Sequence, residues 1–120
     1  MKALLSIVLL LLVWSVTAEG RDPLVVGMEL TYPPFEFVDE QGNPDGVSVR
    51  MAEALADYLD RPLKIENIKF DALITALKSG SIDCVISSMT ANDERRKSID
   101  FSDPYVTTGL AMLVGIDSGI

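Results

Sequence analysis

The sequence contains no histidine and only one cysteine, Cys84. Without histidine, the chain cannot form a Ser-His-Asp triad or a metal site with histidine ligands. A single cysteine excludes an intrachain disulfide, and its position in the apolar run of residues 82–86 favours a small buried side chain over a reactive thiol. The carboxylates also lack the spacing of a calcium loop. These absences exclude histidine-based catalysis and histidine metal ligands, and we expect no enzymatic activity, no metal site and no cofactor.

Positive charge is also scarce, since 10 lysines and arginines stand against 18 acidic residues in a chain of 120. The formal net charge is -8 and the sequence pI is about 4.3. Such an acidic chain lacks the basic surface that binds nucleic acid or anionic membranes. The length allows at most one modest domain, and the 48% hydrophobic content indicates a globular fold rather than a disordered segment.

The N-terminus has the three parts of a secretory signal peptide. Lys2 supplies a minimal basic start, residues 3–16 form an apolar run, and the small residues Thr17 and Ala18 follow. Because the run is short for a membrane span, we predict cleavage after Ala18 and release of the mature chain into the periplasm without stable membrane insertion. The alternative is an uncleaved signal anchor.

Beyond this leader, the periodicity of apolar residues predicts strands that alternate with helices. Residues 24–30 and 63–68 fit buried parallel strands, and residues 47–59 have the three- and four-residue spacings of an amphipathic helix. A hairpin-like excursion lies between the first strand and this helix. The remaining predicted elements are a helix over residues 72–79 capped by Asp71, a strand over residues 82–86, a short helix over residues 92–98 and an extended segment over residues 105–114.

This alternation predicts an α/β fold with a parallel sheet and right-handed crossovers. Ligands of such sheets bind beyond the carboxyl ends of the strands. The predicted order brings residues 29–32, Phe70 and residues 87–90 together at that edge. We therefore expect a ligand site there.

Residues 86–105 contain the strongest candidate for a binding motif. Thr90, with Asp93 three residues later, is typical of a capping box, so we predict that Thr90 is the N-cap of the short helix. A helix N-terminus beside strand-end hydroxyls suits an anion such as a carboxylate, and Arg95 could add a bidentate clamp. The same spacing also fits a capped surface helix whose basic residues 95–97 are solvated.

Four motifs follow one another along the chain. They are Val-Gly-Met-Glu-Leu-Thr-Tyr-Pro-Pro-Phe-Glu-Phe over residues 26–37, Gly-Val-Ser-Val-Arg-Met-Ala-Glu-Ala-Leu over residues 46–55, Phe-Asp-Ala-Leu-Ile-Thr-Ala-Leu-Lys-Ser-Gly-Ser-Ile-Asp over residues 70–83, and Ile-Ser-Ser-Met-Thr through Ile-Asp-Phe-Ser-Asp-Pro-Tyr over residues 86–105. In this order and spacing the chain resembles the periplasmic amino-acid-binding proteins of ABC importers, the family 3 solute-binding proteins. The resemblance covers residues 24–114.

The resemblance implies how the two charged groups of a free amino acid would be held. Arg95, together with the backbone N–H and hydroxyl of Thr90, would bind the α-carboxylate. Ser87, through its carbonyl, and Ser88 would help to bind the α-ammonium group.

The resemblance also assigns the walls of the site. Tyr32 and Phe70 would sandwich the ligand side chain, although from the residues alone Tyr32 could pack a turn and Phe70 could be a hydrophobic staple. Glu29 occupies a position where relatives that bind basic amino acids carry an acid. The usual Gly-Phe-Asp motif appears here with Ser48 in place of the acid. We therefore expect only a slight preference for a cationic or polar amino acid.

The implied fold is the first lobe of a type II periplasmic-binding-protein fold, in which two lobes are joined by two crossing strands. We expect a signal peptide over residues 1–18, an incomplete first lobe over residues 19–106, and the first hinge crossing with the start of the second lobe over residues 107–120. The chain would then be a fragment of a longer protein, and its half-pocket would bind ligand weakly without the second lobe.

The implied function is extracytoplasmic binding of a free amino acid, without catalysis, for delivery to the membrane permease of an ABC importer. A periplasmic enzyme on the same scaffold is the first alternative, either dehydratase-like or the regulatory part of a murein lytic transglycosylase. Neither catalytic acids nor an extra domain are visible in the sequence. The second alternative is the ligand-sensing domain of a receptor or sensor kinase.

Overall fold

The computed structural model describes residues 20–117 and 119, and the predicted signal peptide lies outside the described residues. No helix in this part of the chain is long and apolar enough to cross a membrane. The elements are β1 (Leu24–Met28), β2 (Thr31–Tyr32), β3 (Glu36–Val38), β4 (Pro44–Asp45), α1 (Val47–Leu59), β5 (Leu63–Asn67), α2 (Phe70–Ser79), β6 (Cys84–Val85) and α3 (Asp93–Arg96).

β1 is the central strand of the main sheet, whose order is β5-β1-β6. Both neighbours run parallel to it, with Val26 opposite Ile65 on one side and Cys84 on the other. Parallel neighbours require crossover connections, and these contain α1 between β1 and β5 and α2 between β5 and β6. The α/β fold with a parallel sheet, predicted from the alternating periodicity, is confirmed.

Helix α1 covers one face of the main sheet. The alternating residues Leu24, Val26 and Met28 of β1 are buried there. They belong to one apolar cluster with Ala52 and Ala56 of α1, which are four residues apart and lie on the same helix face. Small side chains at these two positions allow the helix to approach the strand closely, so the apolar positions of the sequence locate this core.

Helix α2 and the segment before β6 cover the other face. A Cβ atom at Gly27 would lie 2.5 Å from Cδ1 of Ile82 and 3.1 Å from Cδ2 of Leu73. Both neighbouring side chains are buried. The missing side chain at Gly27 therefore gives Leu73 of α2 and Ile82 the space in which they pack on β1.

A small antiparallel sheet of order β2-β3-β4 fixes the start of α1. The backbone N–H of Val47 donates to the Pro34 carbonyl at 3.2 Å, and that of Ser48 donates to the Phe35 carbonyl at 2.8 Å. Gly46 has a φ of 116°, and a Cβ atom there would collide with the Phe35 carbonyl. The hairpin-like excursion predicted from the sequence is thus present, and its backbone satisfies the first donors of the helix.

The predicted start of the second helix is wrong. Helix α2 begins at Phe70, its N-cap is Lys69, and Asp71 lies in the first turn instead of capping it. An acid in the first turn still interacts favourably with the helix dipole. The helix ends at Gly80, which is left-handed with a φ of 75°, as a C-terminal glycine permits.

The strands are shorter than their apolar runs. β1 ends at Met28, β5 ends at Asn67, and β6 comprises only Cys84 and Val85. After Phe101, the described residues are exposed and form no strand. The main sheet therefore has three strands in the part of the chain that the structure describes.

Candidate functional site

The carboxyl ends of the three parallel strands are joined by hydrogen bonds that continue beyond the strands. The backbone N–H of Ile68, after β5, donates to the Met28 carbonyl at 2.9 Å, and that of Ile86, after β6, donates to the Gly27 carbonyl at 3.2 Å. The backbone N–H of Leu30 donates to Oδ1 of Asn67 at 3.1 Å. These bonds hold the residues that follow the strands in a fixed arrangement along one edge of the sheet.

Glu29 and Ser87 meet at this edge. The backbone N–H of Glu29 donates to the Ser87 hydroxyl at 2.9 Å, and Ser87 is only 3% exposed. The side chain of Ser87 therefore joins the ends of β1 and β6. Its carbonyl remains the group that the family resemblance assigns to the ligand.

Phe70 and Arg95 form a second pair at the edge. Phe70 is the first residue of α2, and the Arg95 guanidinium carbon lies 5.3 Å from the centre of its ring. Nη1 of Arg95 also donates to the Thr90 carbonyl at 2.9 Å. Two independent contacts, one cation–π and one hydrogen bond, thus hold the guanidinium group near the strand ends.

The predicted capping box at Thr90 is wrong. The N-cap of α3 is Asn92, and its Oδ1 accepts the backbone N–H of Arg95 at 2.9 Å. Helix α3 has only four residues, and the Asn92 side chain already accepts the Arg95 N–H, so this terminus provides no anion site of its own. Binding of a carboxylate would depend on the guanidinium of Arg95 and on Thr90.

Tyr32 lies in β2 and is 58% exposed. Its ring stacks on that of Phe35 with centroids 5.8 Å apart and planes inclined by 14°. Phe35 was not predicted as part of the site. One face of the Tyr32 ring is thus covered by Phe35, which lies in the turn between β2 and β3. Neither Tyr32 nor the half-buried Phe70 lies in the sheet–helix core.

Ser88 has a left-handed backbone with a φ of 48°, which is uncommon for a residue other than glycine. Its hydroxyl donates to Oε2 of Glu36 at 3.0 Å, and the Ser48 hydroxyl donates to the same oxygen at 2.5 Å. Glu36 is 1% exposed, and Ser48 is fully buried. A ligand cannot reach Ser48, so its replacement of the usual acid gives no direct information on ligand charge, contrary to our interpretation of the sequence.

Sequence reasoning missed Glu36. Around the start of β3 the residues Phe35, Glu36 and Phe37 alternate between aromatic and acidic, and such a pattern ordinarily buries the two aromatic rings and exposes the acid. The structure has the opposite arrangement, with Glu36 buried and both rings half-buried. Only the paired hydroxyls at Ser48 and Ser88, far apart in sequence, make the buried carboxylate possible.

Two features lie away from this edge. A surface depression lined by Arg21, Asp57 and Asp60 is at the amino ends of β1 and β5 and contains none of the predicted site residues. Cys84 is in β6, where burial raises the pKa of its thiol, Asp83 acts in the same direction and Arg61 opposes them. Among residues 20–117 and 119, no cluster of acidic and cysteine side chains is arranged to hold a metal ion.

Comparison with known proteins identifies the family. The sequence model of the bacterial extracellular solute-binding proteins, family 3, matches residues 24–120. The chain belongs to this family.

Several curated amino-acid-binding proteins have similar sequences. The L-cystine-binding protein TcyJ of Escherichia coli K12 is 42% identical over 94 residues, which are 78% of this chain and 35% of TcyJ. The arginine-binding extracellular protein ArtP of Bacillus subtilis 168 is 40% identical over 106 residues, which are 88% of this chain and 41% of ArtP. The chain therefore spans well under half the length of these relatives.

Solved structures of arginine-binding proteins share the fold. The arginine-bound form of domain 1 of TmArgBP has a TM-score of 0.69 and 48% sequence identity, over 71% of this chain and 68% of that chain. A mutant of arginine-bound ArgBP from T. maritima has a TM-score of 0.71 and 46% identity, over 72% of this chain and 40% of that one. The predicted first-lobe architecture is confirmed by this likeness.

Proposed function

We propose that the chain is the ligand-binding first lobe of an extracytoplasmic protein that captures a free amino acid, preferably a cationic one, and delivers it to the permease of an ABC importer. The observation that carries the proposal is the position of Arg95. Its guanidinium lies over Phe70 and donates to the Thr90 carbonyl at the strand-end edge. A guanidinium held in this way is ready to form a bidentate pair with a carboxylate.

The groups that would bind the rest of the amino acid lie on neighbouring segments. Ser88 and the carbonyl of Ser87 follow β6 and would accept hydrogen bonds from the α-ammonium group. Tyr32 and Phe70 would flank the ligand side chain, and an aromatic face suits a cation. No catalytic step is required of any of these residues.

The preference for a cation is supported by charge and by relatives. Glu29 directly follows β1, and its carboxylate would pair with a cationic side chain. Relatives at 38–40% identity are named as arginine-binding proteins, in Bacillus subtilis and Pseudomonas aeruginosa. TcyJ, at 42% identity, is named for L-cystine. Relatives of similar identity therefore bear the names of different ligands, and arginine is the first of them to test.

A single lobe is expected to bind by itself, although less tightly than a closed two-lobed protein. Support comes from TmArgBP, whose domain 1 is known in an arginine-bound form. We propose that the first lobe extends to residue 106 and that residues 107–120 lead towards a second lobe. Cleavage after Ala18 would release the mature protein into the periplasm.

The proposal is tested by a thermal-shift screen of the purified protein against the twenty amino acids. We expect L-arginine, L-lysine or another polar amino acid to raise the melting temperature by mass action. Calorimetric titration would then compare L-arginine with L-citrulline, which has a similar shape without the cationic charge. Cooperative unfolding with no stabilisation by any amino acid would contradict the proposed function, and equal affinity for arginine and citrulline would contradict the cationic preference.

A further inference from the structure

Glu36 is a buried carboxylate that joins three separate parts of the lobe. It lies in β3 and is 1% exposed. Its Oε2 atom accepts the hydroxyl of Ser48, in the first turn of α1, at 2.5 Å. The same atom accepts the hydroxyl of Ser88, after β6, at 3.0 Å. The strand-end edge is thereby tied to the small sheet and to α1 through one oxygen.

The two hydrogen bonds determine whether the Ser88 hydroxyl can donate or accept in a further contact. A serine hydroxyl has one proton to donate and two lone pairs that accept. Ser48 and Ser88 both donate to Oε2 of Glu36, and each hydroxyl thereby uses its single proton. The Ser88 hydroxyl then has lone pairs alone for any further contact, and it can bind a donor but not an acceptor.

The same contact restrains the backbone of Ser88. The backbone of Ser88 is left-handed, with a φ of 48°. This conformation is unfavourable for a residue with a Cβ atom, and it persists only where the surrounding structure holds it in place. The bond to Glu36 supplies such a restraint, because it fixes the side chain of Ser88 to a buried group. The contact with Glu36 therefore determines both the position of the Ser88 hydroxyl and its role as an acceptor.

We propose that Glu36 is a positioning residue that turns Ser88 into an obligate hydrogen-bond acceptor, so that the strand-end site selects a ligand with an ammonium group at that position. The inference rests on the proposed function for the contact between Ser88 and the ligand. Glu36 itself is buried and does not touch the ligand. Its effect is to exclude ligands that lack a donor at this point.

The experiment compares two protein variants that differ only at Glu36. Ser48→Ala removes one hydroxyl from Oε2 and leaves the bond between Glu36 and Ser88, so it is the control. The double variant Ser48→Ala with Glu36→Met removes the acceptor of Ser88 with a side chain of similar length. Calorimetric titration measures the affinity of each protein for L-arginine and for 5-guanidinopentanoate, which is arginine without its α-ammonium group.

We expect the control to bind L-arginine much more tightly than 5-guanidinopentanoate. In the double variant the ratio of the two affinities should fall at least about tenfold, since a hydrogen bond to a charged group contributes this much to binding. Glu36→Gln, which keeps an acceptor oxygen, should retain most of the preference. A merely structural role would weaken both ligands equally. An unchanged preference ratio in the double variant would overturn the proposal.

A second measurement decides the question even if the protein binds no amino acid, an outcome that would count against the proposed function alone. The Cα and Cβ chemical shifts of Ser88 in the ligand-free protein report its backbone conformation. We expect left-handed values in the Ser48→Ala control and a shift away from them in the double variant. Identical Ser88 shifts in the two variants would show that Glu36 does not position this residue.

Discussion

At the scale of single residues, the proposed site contains two charged residues, Glu29 and Arg95, that are held in place by contacts with neighbouring segments. Glu29 follows the central strand, and its backbone N–H is bonded to Ser87 at 2.9 Å. Arg95 is held by a ring and by a carbonyl. Glu29 and Arg95 thus lie on segments that follow different strands, as the proposed binding of opposite ends of a cationic amino acid requires.

Glu29→Gln is expected to reduce affinity for L-arginine by about tenfold and to leave affinity for L-citrulline nearly unchanged, because only the cation loses its ionic partner. Glu40→Gln is the matched control, since Glu40 is an exposed acid in the turn between β3 and β4. Calorimetric titration of each variant with both ligands measures the ratio. An equal loss for arginine and citrulline at Glu29 would mean that its carboxylate does not recognise the cation.

Cys84 gives a prediction about pH. Burial raises the pKa of the thiol above its value in the unfolded chain, and Asp83 adds to this effect. A raised pKa contributes stability below the unfolded pKa, and that contribution is lost as the pH rises through the folded pKa. Thiolate absorbance should therefore titrate at higher pH in the folded protein than in urea. Cys84→Ala should remove the corresponding part of the alkaline loss of stability, and a folded midpoint at or below that in urea would contradict this account.

The identities of site residues could be predicted only partly from sequence. Glu29, Phe70, Ser87 and Ser88 follow strands of the main sheet at the edge where the strand order placed them, because the ends of parallel strands must share one edge. Arg95 was assigned to the candidate site by its spacing in the short helix and by the family resemblance. Glu36 could not be found in this way. Its burial depends on hydroxyls 12 and 52 residues away in sequence, and local alternation favours the reverse orientation.

At the scale of elements, the connection between the small sheet and α1 requires a glycine. Gly46 has a φ of 116°, and any Cβ atom there would meet the backbone carbonyl of Phe35. Gly42, in the turn of the same small sheet, also has a positive φ, of 89°, but has no atom within 4 Å of an added Cβ. A comparison of alanine variants at the two positions therefore separates the cost of a positive φ, which both share, from the cost of the steric clash with Phe35, which occurs only at Gly46.

Gly46→Ala is expected to destabilise the protein by more than about 3 kcal/mol, whereas Gly42→Ala should cost only about 1 kcal/mol. The larger loss arises because the strand-to-helix connection must move before α1 can keep its capping bonds to Pro34 and Phe35. Urea unfolding followed by circular dichroism measures both values. Similar losses in the two variants would show that the Phe35 carbonyl moves aside at little cost.

Helix termini were the least predictable elements. Capping from sequence relies on a polar side chain at the right position, which selected Asp71 and Thr90. Lys69 and Asn92 are the N-caps instead. Asparagine is as good an N-cap residue as threonine, so the side-chain preference did not distinguish Asn92 from Thr90. Sequence periodicity placed the helices themselves, since their apolar faces are needed on both sides of the sheet.

At the scale of the whole molecule, the described chain divides into a packed α/β unit and an exposed stretch. Core residues extend from Leu24 to Ile82. From residue 102 to residue 117 the chain is exposed and forms no helix or strand. The expected boundary of the first lobe near residue 106 falls inside this stretch and stays a prediction.

Limited digestion with chymotrypsin tests that boundary. Tyr58 is 84% exposed but lies in α1, whereas Tyr105 is 47% exposed and lies outside any helix or strand. Cleavage requires local unfolding of the backbone, so we expect the first cut at or after Tyr105 and a resistant product that contains the α/β unit. Mass spectrometry identifies the site. An initial cut at Tyr58 would mean that α1 opens more readily than the packing of its buried face suggests.

The decisive measurement is calorimetric titration of L-arginine into the parent protein and into Arg95→Ala and Arg96→Ala. The two arginines are neighbours, and each lies 5.3 Å from the centre of an aromatic ring, Phe70 for Arg95 and Phe101 for Arg96. Of these two arginines, only Arg95 belongs to the proposed site. We expect Arg95→Ala to weaken binding at least about 100-fold and to lower the melting temperature by no more than about 4 °C, because the lost ion pair forms only with ligand. Arg96→Ala should bind like the parent. Parent-like binding by Arg95→Ala would show that this edge of the sheet does not hold the carboxylate of an amino acid.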